Sequence, residues 1–390
     1  RCKPRADFLC FPQKWGRIYP YCYGGLSREM TAACETILIR AEELQEFVRR
    51  VLGSLGMPAG DAQQVSAMIV ETDLRGVDSH GVARFPYFVG RLRSGLIDPL
   101  ARPEVVRETE TTLVIDGHNG MGYVVAARAM EQCISKAAKV GVGMAAVRAC
   151  NHLGAAATYA MMALEHDMVG FCTTNGFPLI PPTFGARAMF GANPFAVAIP
   201  AGECWPFVLD CSTSTVAFGK LEIAAREGKT IPIGWARDKS GKGTSDPKLA
   251  MQGLTLLPLG GTREQGSHKG YGLAMIMEIF VGLLSAGAYG WGVKHQSDLY
   301  PGQANVSHFL SALNIASFRP ADEFKATMDA MIREVRSSPK EEGHERIYIP
   351  GEIEYETAQE RRVRGIPLHP SVVDSLRKVG EEMGIAFPCA

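Results

Sequence analysis

The sequence predicts a mixed α/β fold of the α+β kind, in which a helical domain built from both chain ends encloses an inserted sheet domain. Apolar residues recur at helical spacing before about residue 110 and again after about residue 320. Between these parts, short β-rich runs alternate with helical segments. The predicted organisation is an N-terminal extension over 1–34, helical parts over 35–110 and 321–390, and an α/β domain over 111–320.

Two amphipathic helices are predicted to open the helical part. The first runs from about Ala41 to Gly56, and its apolar side chains share one face. The second is predicted to begin at Asp61 as an N-cap and to stop at Gly76, a typical C-terminal glycine. The polar turn that follows therefore projects from a helix end, where functional residues are common.

The central part carries the strand and helix signals of an α/β domain. The predicted strands are 112–116, 143–147, 168–173, 195–199, 207–210 and 306–313. The predicted helices are 126–140, 155–166, 216–227 and 271–284. After about residue 321 two further apolar stripes predict helices, the second of them entered through Pro370.

Composition and charge exclude several classes of protein. The 390 residues include 41 basic and 41 acidic ones, and no basic run marks a nucleic-acid-binding surface. The most apolar window, 273–293, contains Glu278 and several glycines, which favours a buried helix over a membrane span. Ten cysteines without a Cys-x-x-Cys pair indicate a reduced, cytoplasmic protein. The basic stretch over 1–28 lacks the apolar core of a secretory signal, which leaves a mitochondrial transit peptide or an upstream extension ahead of Met30.

The turn after the second helix contains several residues that can take part in catalysis or bind a substrate. It reads Asp78-Ser79-His80-Gly81-Val82, with Arg84 two positions further on. A histidine can exchange protons near neutral pH, and an arginine can bind a carboxylate through two hydrogen bonds. A proton donor beside a carboxylate clamp is what the reduction of a 2-oxo acid requires.

Three other glycine- or hydroxyl-rich segments are candidates for ligand binding. Asn151-His152 lies at a predicted strand-to-helix junction, where α/β proteins gather ligands, although a helix cap beside a surface histidine is the alternative. The segment Asp210-Cys211-Ser212 follows an apolar strand and could bind phosphate or ribose, or cap the next helix. His268-Lys269 precedes a predicted helix in a glycine-rich loop, which fits a phosphate site or a flexible loop.

Familiar signatures of other chemistry are absent from the sequence. No Gly-x-Gly-x-x-Gly follows a predicted strand, so an ordinary Rossmann fold is not expected. No P-loop, no histidine or cysteine spacing of a zinc site and no Gly-x-Ser-x-Gly elbow occurs. We therefore expect no metal site.

Taken together, these segments resemble the type-2 malate/L-lactate dehydrogenase family, whose members are NAD(P)-dependent oxidoreductases. The resemblance runs from about 37 to 386, and its strength lies in the order and spacing of motifs that are each weak alone. The motifs are Asp78-Ser79-His80-Gly81-Val82 with Arg84, Asn151-His152-Leu153-Gly154, Thr174-Asn175, Gly191-Ala192-Asn193-Pro194, Asp210-Cys211-Ser212-Thr213, Gly219-Lys220, Gly234-Trp235-Ala236, His268-Lys269-Gly270-Tyr271-Gly272 and Pro350-Gly351-Glu352.

The resemblance implies a helical domain with a cofactor-binding sheet domain of non-Rossmann topology, assembled as a homodimer. It implies NAD or NADP as cofactor and a small 2-oxo or 2-hydroxy acid as substrate. His80 and His152 match the family's alternative acid/base residues, and Ser79 and Arg84 match substrate contacts. The positions that match cofactor contacts are Asn175, Asp210, Cys211, Ser212, His268, Lys269, Gly351 and Glu352.

The expected reaction is hydride transfer between the nicotinamide and C2 of the acid. Arg84 is expected to hold the substrate carboxylate, and a histidine to give a proton to the ketone oxygen. His152 is preferred over His80 as this acid, because a strand-to-helix junction in the cofactor domain should face the nicotinamide. The alternative is a catalytically inactive homologue that binds nicotinamide nucleotide.

Overall fold

The computed structural model describes residues 36–295 and 302–388, so the predicted extension over 1–34 lies outside the described residues. The helices are α1 (Ala41–Ser54), α2 (Ala59–Leu74), α3 (Phe85–Arg93), α4 (Gly122–Val140), α5 (Ala157–Ala160), α6 (Phe218–Arg226), α7 (Pro247–Gly253), α8 (Ser267–Glu278), α9 (Ala321–Ser337), α10 (Glu352–Arg364) and α11 (Pro370–Met383). The strands are β1 (Ile37–Ile39), β2 (Glu104–Glu108), β3 (Thr112–Asp116), β4 (Val142–Cys150), β5 (Met168–Thr174), β6 (Phe195–Ile199), β7 (Phe207–Cys211), β8 (Ala236–Arg237), β9 (Thr255–Leu256), β10 (Val306–Asn314) and β11 (Ile366–Leu368).

One hydrophobic core is built from helices at both ends of the described chain. The apolar face of α1, which includes Leu44, Phe47 and Val48, is buried against side chains of α2, α3 and α11. Near the chain ends, β1 and β11 pair antiparallel in a two-stranded sheet beside this core. The helical spacing of the apolar residues dictates this packing, because each helix has one stripe to bury.

The predicted N-cap of α2, Asp61, lies three residues after the observed one. The helix begins at Ala59 after Pro58, and no side chain caps its first turn. The carboxylate of Asp61 instead forms ion pairs with Arg102 and Arg128, at 3.3 and 2.7 Å. The residue that the local pattern predicts as a helix cap therefore forms ion pairs with distant arginines instead.

A second core surrounds a seven-stranded mixed sheet. Its strand order is β2-β3-β4-β10-β5-β6-β7, and only the β3–β4 pair is parallel. A Rossmann fold needs a mostly parallel sheet, so the expectation of an α+β fold with non-Rossmann topology is confirmed. The strand β10 arrives late in the sequence and lies in the middle of the sheet, with Leu310 opposite Ala145 on one side and Cys172 on the other.

Small residues let α4 lie close to the sheet. Four alanines of α4 are fully buried, and a Cβ at Gly143 of β4 would stand 2.1 Å from the carbonyl oxygen of Cys133. Only glycine can occupy such a position, because any side chain would collide with helix backbone. This close packing fixes β4, whose end carries the Asn151-His152 segment.

Two predicted helices differ in detail from the structure. The segment over 155–166 forms only the short α5, followed by a 3₁₀ helix over Met161–His166. The segment over 271–284 begins earlier, as α8, and continues as a π-helical turn over Ile279–Leu283. The helix α9 packs its buried side chains with Ile349 and residues near β7, in a small cluster separate from the helical core.

Within residues 36–295 and 302–388, no helix is both long and apolar enough to cross a membrane. The same part of the chain contains no group of three or more His, Cys, Asp or Glu side chains placed to hold a metal ion.

Candidate active site

A buried carboxylate fixes the turn that follows α2. Asp73, in the last turn of that helix, is 1% exposed, and its Oδ2 accepts a hydrogen bond of 2.7 Å from the backbone N–H of Val82. A Cβ at Gly81 would stand only 2.0 Å from Asp73 Oδ1. Desolvation, with the nearby charge of Asp78, raises the pKa of Asp73 well above its usual range. The turn therefore closes back on α2 and presents Ser79 and His80 to the surface of the helical core.

Arg84 is held against the same turn by its own backbone. Its Nε donates a hydrogen bond of 3.0 Å to the carbonyl oxygen of Ser79. Its Nη2 lies 3.6 Å from Oε2 of Glu222 in α6, and both side chains are about one third exposed, at 35% and 33%. The guanidinium is thus oriented by the turn, accessible, and close to an acidic residue that sequence reasoning missed.

His80 and His152 come together although 72 positions separate them in the sequence. Their rings stack with centroids 5.7 Å apart and planes inclined by 28°. His80 is carried by the turn after α2, whereas His152 follows β4 and lies 6.2 Å from the ring of Phe88 in α3. The two predicted acid/base residues therefore form one site, where a helix end meets a strand end.

The hydrogen bonds of the two rings differ. Nδ1 of His152 accepts a hydrogen bond of 2.9 Å from the backbone N–H of Gly154, which leaves the ring proton on Nε2. Nδ1 of His80 lies 2.9 Å from Oγ of Ser79, and a hydroxyl can either donate or accept. Ser79, predicted to contact substrate, thus also contacts the catalytic candidate beside it.

Both histidines are held neutral by their surroundings. Desolvation, with a smaller contribution from the charge of Arg84, lowers the pKa of His80 to about 4. Desolvation, followed by the charges of His80 and Arg84, lowers the pKa of His152 well below its usual range. Both rings nevertheless keep partial access to solvent. Side chains that are desolvated but still reachable are typical of the wall of a concave site.

Two further histidines lie near this pair and were not predicted. His308 in β10 is fully buried, its Nδ1 is 2.8 Å from Oγ1 of Thr174, and burial lowers its pKa to about 3. His295 packs edge-on to Phe177, with ring centroids 5.1 Å apart. Desolvation and the charge of Arg84 lower the pKa of His295 to about 4, which places it in the same electrostatic environment. Neither lies in a local pattern that distinguishes it from an ordinary histidine.

The predicted cofactor segment at the end of β7 is joined to the histidine loop. Oδ2 of Asp210 accepts a hydrogen bond of 2.8 Å from the backbone N–H of Ala157, at the start of α5. Desolvation raises the pKa of Asp210 to about 6, although that hydrogen bond and Arg75 oppose the rise. Burial likewise raises the pKa of the Cys211 thiol to about 11. Oγ of Ser212 lies 2.9 Å from Oγ of Ser214, so this hydroxyl already has a partner.

The loop before α8 joins the same region through a backbone contact. The N–H of Leu259 donates a hydrogen bond of 2.9 Å to the carbonyl oxygen of Thr213. The loop then leads to His268 and Lys269, both exposed in the first turn of α8. Arg263 donates a hydrogen bond of 3.2 Å to Nδ1 of His268. Three basic side chains thus surround one helix N-terminus.

The remaining predicted cofactor residues are engaged inside the protein. The Asn175 amide donates to the carbonyl of Ala288 and accepts from the N–H of Ser307. Gly351, at φ +92°, packs against the backbone of β7, where a Cβ would stand 3.0 Å from a backbone nitrogen. Glu352 is 4% exposed and pairs with Arg336 and Arg346. The described contacts of Glu352 connect it to those arginines and not to the histidine pair.

The donors of the α8 loop fit the pyrophosphate of a dinucleotide. A pyrophosphate is bound by backbone N–H groups at a helix N-terminus and by nearby cations. Gly260, Gly261 and Gly266 have positive φ angles, of 97°, 70° and 97°, so this loop follows a path that side chains would disfavour. Arg263 and Lys269 provide the cationic donors, whereas the N–H groups of Ser267 and Lys269 already bond to the carbonyl oxygens of Thr262 and Gly266.

Comparisons with known proteins identify the family of this chain. The family described as malate/L-lactate dehydrogenase matches residues 39–377. A malate dehydrogenase of Pyrococcus abyssi is 42% identical over 90% of this chain and 96% of its own length. A malate/(S)-sulfolactate dehydrogenase of Methanothermus fervidus is 35% identical over 90% of this chain and 99% of its own length. A solved malate dehydrogenase from Entamoeba histolytica superposes with a TM-score of 0.88 at 35% identity, covering 91% of this chain and all of that one.

This chain belongs to the malate/L-lactate dehydrogenase family. The expectation of an oxidoreductase acting on 2-hydroxy acids with a nicotinamide cofactor is confirmed. Nothing in these comparisons favours the inactive alternative.

Proposed function

We propose that the site between the helical core and the sheet reduces a 2-oxo acid, or oxidises the 2-hydroxy acid in reverse. The stacked His80–His152 pair beside Arg84 carries this proposal. Arg84 is oriented by the Ser79 carbonyl and can bind the substrate carboxylate through its remaining N–H donors. Malate and sulfolactate, the substrates named for the relatives, both offer a 2-hydroxy acid of this kind.

The hydrogen bonds favour His80 as the proton donor, the reverse of the preference drawn from the sequence. To act as an acid, an imidazole must first carry protons on both nitrogens. At His152 a second proton on Nδ1 would face the N–H of Gly154. At His80 the Ser79 hydroxyl can rotate to accept from Nδ1, so the charged ring keeps a partner. We therefore assign proton transfer to Nε2 of His80.

His152 then has a different task. Its neutral ring carries the proton on Nε2, and this N–H can donate a hydrogen bond to the substrate oxygen as negative charge develops there. Because the Gly154 N–H fixes the tautomer, this donor is already in place before substrate arrives. Ser79 supports His80 and can also contact the substrate.

The dinucleotide supplies or accepts the hydride at its nicotinamide ring. Arg263, His268 and Lys269 at the start of α8 would hold its phosphates, and Asp210 and Ser212 would lie beside its sugars. We retain both NAD and NADP as candidates, and the basic residues at α8 could accommodate an additional phosphate.

We further propose a cytoplasmic homodimer. The cytoplasmic assignment is supported by free thiols at Cys133, Cys150, Cys172, Cys204 and Cys211. The homodimer is supported by an apolar face on α8 and the π-helical turn that follows, which is named here the α8 face. Its exposed members are Met275, Ile276, Ile279, Phe280, Leu283 and Leu284. Contiguous apolar side chains of this kind mark protein–protein interfaces.

The direct test is to follow oxidation of NADH and of NADPH with oxaloacetate, pyruvate, sulfopyruvate, 2,3-diketogulonate and a cyclic imino acid. Turnover of a 2-oxo acid is the expected result, and the same assay selects the cofactor. No turnover of any substrate, with the cofactor shown to bind, would contradict the proposal.

Variants then test the assigned roles. We expect His80→Gln to lower kcat by roughly 10²- to 10⁴-fold, the usual size of general acid catalysis. We expect His152→Gln to lower kcat by roughly 10²-fold, since one hydrogen-bond donor to the developing charge is lost. The exposed His344 provides the control His344→Gln, which should leave kcat unchanged. A larger loss in His152→Gln than in His80→Gln would reverse the assignment.

A further inference from the structure

The helix α10, from the C-terminal part of the chain, lies against the end of α2. Gly76 follows the last turn of α2 at φ +79°, and a Cβ there would stand 3.1 Å from Cγ2 of Thr357 in α10. Arg361 comes four positions after Thr357, so both side chains lie on the same face of α10. This face therefore meets the chain just before the turn that carries His80.

The guanidinium of Arg361 binds two points of that turn. Its Nη1 donates a hydrogen bond of 2.6 Å to the backbone carbonyl oxygen of Asp73, in the last turn of α2. Nη1 also donates to Oδ1 of Asp78, and Nη2 donates to Oδ2 of Asp78 at 3.2 Å. A cation is favoured at a helix C-terminus, and the planar guanidinium matches the two oxygens of a carboxylate. One side chain thus ties the end of α2 to the residue two positions before His80.

The next residue of α10 makes a contact that allows comparison. Nη2 of Arg362 donates a hydrogen bond of 2.6 Å to the carboxylate of Glu71 in α2. The side chain of Arg362 is 50% exposed, whereas that of Arg361 is 15% exposed. Both arginines therefore join α10 to α2, but the contact of Arg361 is the more buried one and includes the turn itself.

The backbone of the turn transmits the contact at Asp78 to the proposed catalytic groups. The N–H of His80 donates a hydrogen bond of 2.9 Å to the carbonyl oxygen of Val77. The carbonyl oxygen of Ser79 accepts the hydrogen bond from Nε of Arg84. Asp78 lies between these two carbonyl groups, so a displacement of Asp78 would move the supports of both His80 and Arg84.

We propose that Arg361 is a positioning residue, which holds His80 at the place needed for proton transfer by binding Asp78 and the end of α2. This inference rests on the proposed function of the same site. It also gives a task to Asp78, the first residue of the Asp78-Ser79-His80 segment. Arg361 acts only through the turn.

The test compares the two neighbouring arginines. We expect Arg361→Gln to lower kcat by roughly 30-fold, since a misplacement of about 1 Å costs on the order of 100-fold. Arg361→Lys keeps the charge without the planar fork and should recover about half of that loss on a logarithmic scale. Arg362→Gln removes the more exposed ion pair between the same helices and should leave kcat within about twofold. Thermal melting followed by circular dichroism verifies that each variant is folded.

A double-mutant cycle tests the link to Asp78. Asp78→Asn keeps the shape of the side chain and should lower kcat by about tenfold, because a neutral amide binds the guanidinium more weakly. The double variant Asp78→Asn/Arg361→Gln should lose no more than Arg361→Gln alone, because both changes break one contact. If Arg361→Gln melts below the assay temperature, Arg361→Lys takes its place in the cycle. Additive losses, or wild-type kcat in a folded Arg361→Gln or in Asp78→Asn, would overturn the inference.

Hydrogen exchange followed by mass spectrometry separates failure of this inference from failure of the proposed function. The N–H groups of His80, Val82 and Arg84 are hydrogen-bonded within the turn or to Asp73. Arg361→Gln should speed their exchange by roughly tenfold, and Arg362→Gln should not change it. Unchanged exchange in a folded Arg361→Gln overturns the inference even where the wild type reduces 2-oxo acids. Absence of turnover in the wild type overturns the proposed function, and the exchange rates still decide whether Arg361 holds the turn.

Discussion

The proposed role of Arg84 would couple substrate binding to the protonation of His80. The positive charge of Arg84 contributes to the lowered pKa of both stacked histidines. Arg84 already lies 3.6 Å from Glu222, and a substrate carboxylate would add a second negative charge beside it, so the pKa of His80 should be higher in the substrate complex than in the free enzyme. The residue that binds the substrate would thereby help to charge the proton donor.

This coupling predicts two different pH profiles for reduction. The proposed mechanism needs protonated His80, so kcat/KM, which reports the free enzyme, should fall tenfold per pH unit above about pH 4. The profile of kcat, which reports the substrate complex, should begin to fall at higher pH. Steady-state kinetics from pH 4 to 9 at saturating cofactor measure both limbs. Coincident limbs would show that the substrate carboxylate does not bind at Arg84.

Sequence reasoning found the residues that carry unusual local patterns and missed those defined by tertiary contacts. Ser79, His80 and Arg84 were visible because a histidine and an arginine cluster after a helix stop. Glu222 lies in an ordinary amphipathic helix, and only the approach of α6 to the turn brings it to 3.6 Å from Arg84. His295 is another such case, since its importance depends on proximity to Arg84.

At the scale of elements, the site depends on how the turn packs against the end of α2. Gly81 must lack a side chain because Asp73 fills the space where a Cβ would lie. Asp73 cannot move away without breaking its bond to the Val82 N–H, and Asp73 itself is fully buried. The turn is therefore rigid, as a proton donor that must lie within about 3 Å of its target requires.

We expect Gly81→Ala to lower kcat/KM by about 100-fold, because a shift of about 1 Å in His80 is enough for such a loss. The added methyl group should also lower the free energy of unfolding by about 1–3 kcal/mol. Gly53→Ala in α1, where nothing lies within 4 Å of the added Cβ, is the matched control and should keep full activity. Urea unfolding and initial rates measure the two effects. Wild-type kinetics in Gly81→Ala would show that the turn can shift without harm to the site.

Element boundaries were predicted well where the apolar pattern is strong. The strand over 112–116 and the strand over 195–199 coincide with β3 and β6. The strand β2 was missed because all five of its residues are exposed and give no alternation. The start of α2 was misplaced because Asp61 serves an ion pair with Arg128. Local sequence patterns thus predict elements that have a buried face. They fail where a strand is fully exposed, or where an ion pair with a distant residue changes the boundary of a helix.

At the scale of the whole molecule, the order of the strands lay beyond prediction from local pattern. The late strand β10 separates β4 from β5 and pairs antiparallel with both. The apolar sequence of β10 predicts a buried strand, but nothing in that sequence identifies the two strands with which it pairs. This insertion puts buried His308 near the loop that carries His152, so the sheet topology itself contributes to the electrostatics of the site.

The α8 face predicts the assembly of the whole molecule. A homodimer should appear as twice the mass of one chain in light scattering coupled to size-exclusion chromatography. The double variant Ile276→Asp/Leu283→Asp places two charges on that face and should give a monomer, because a buried unpaired charge strongly opposes association. Val363→Asp, at a side chain that is 87% exposed in α10, is the matched control and should remain dimeric. A double variant that keeps the dimeric mass would place the interface elsewhere, and a wild-type chain of monomeric mass would refute the homodimer itself.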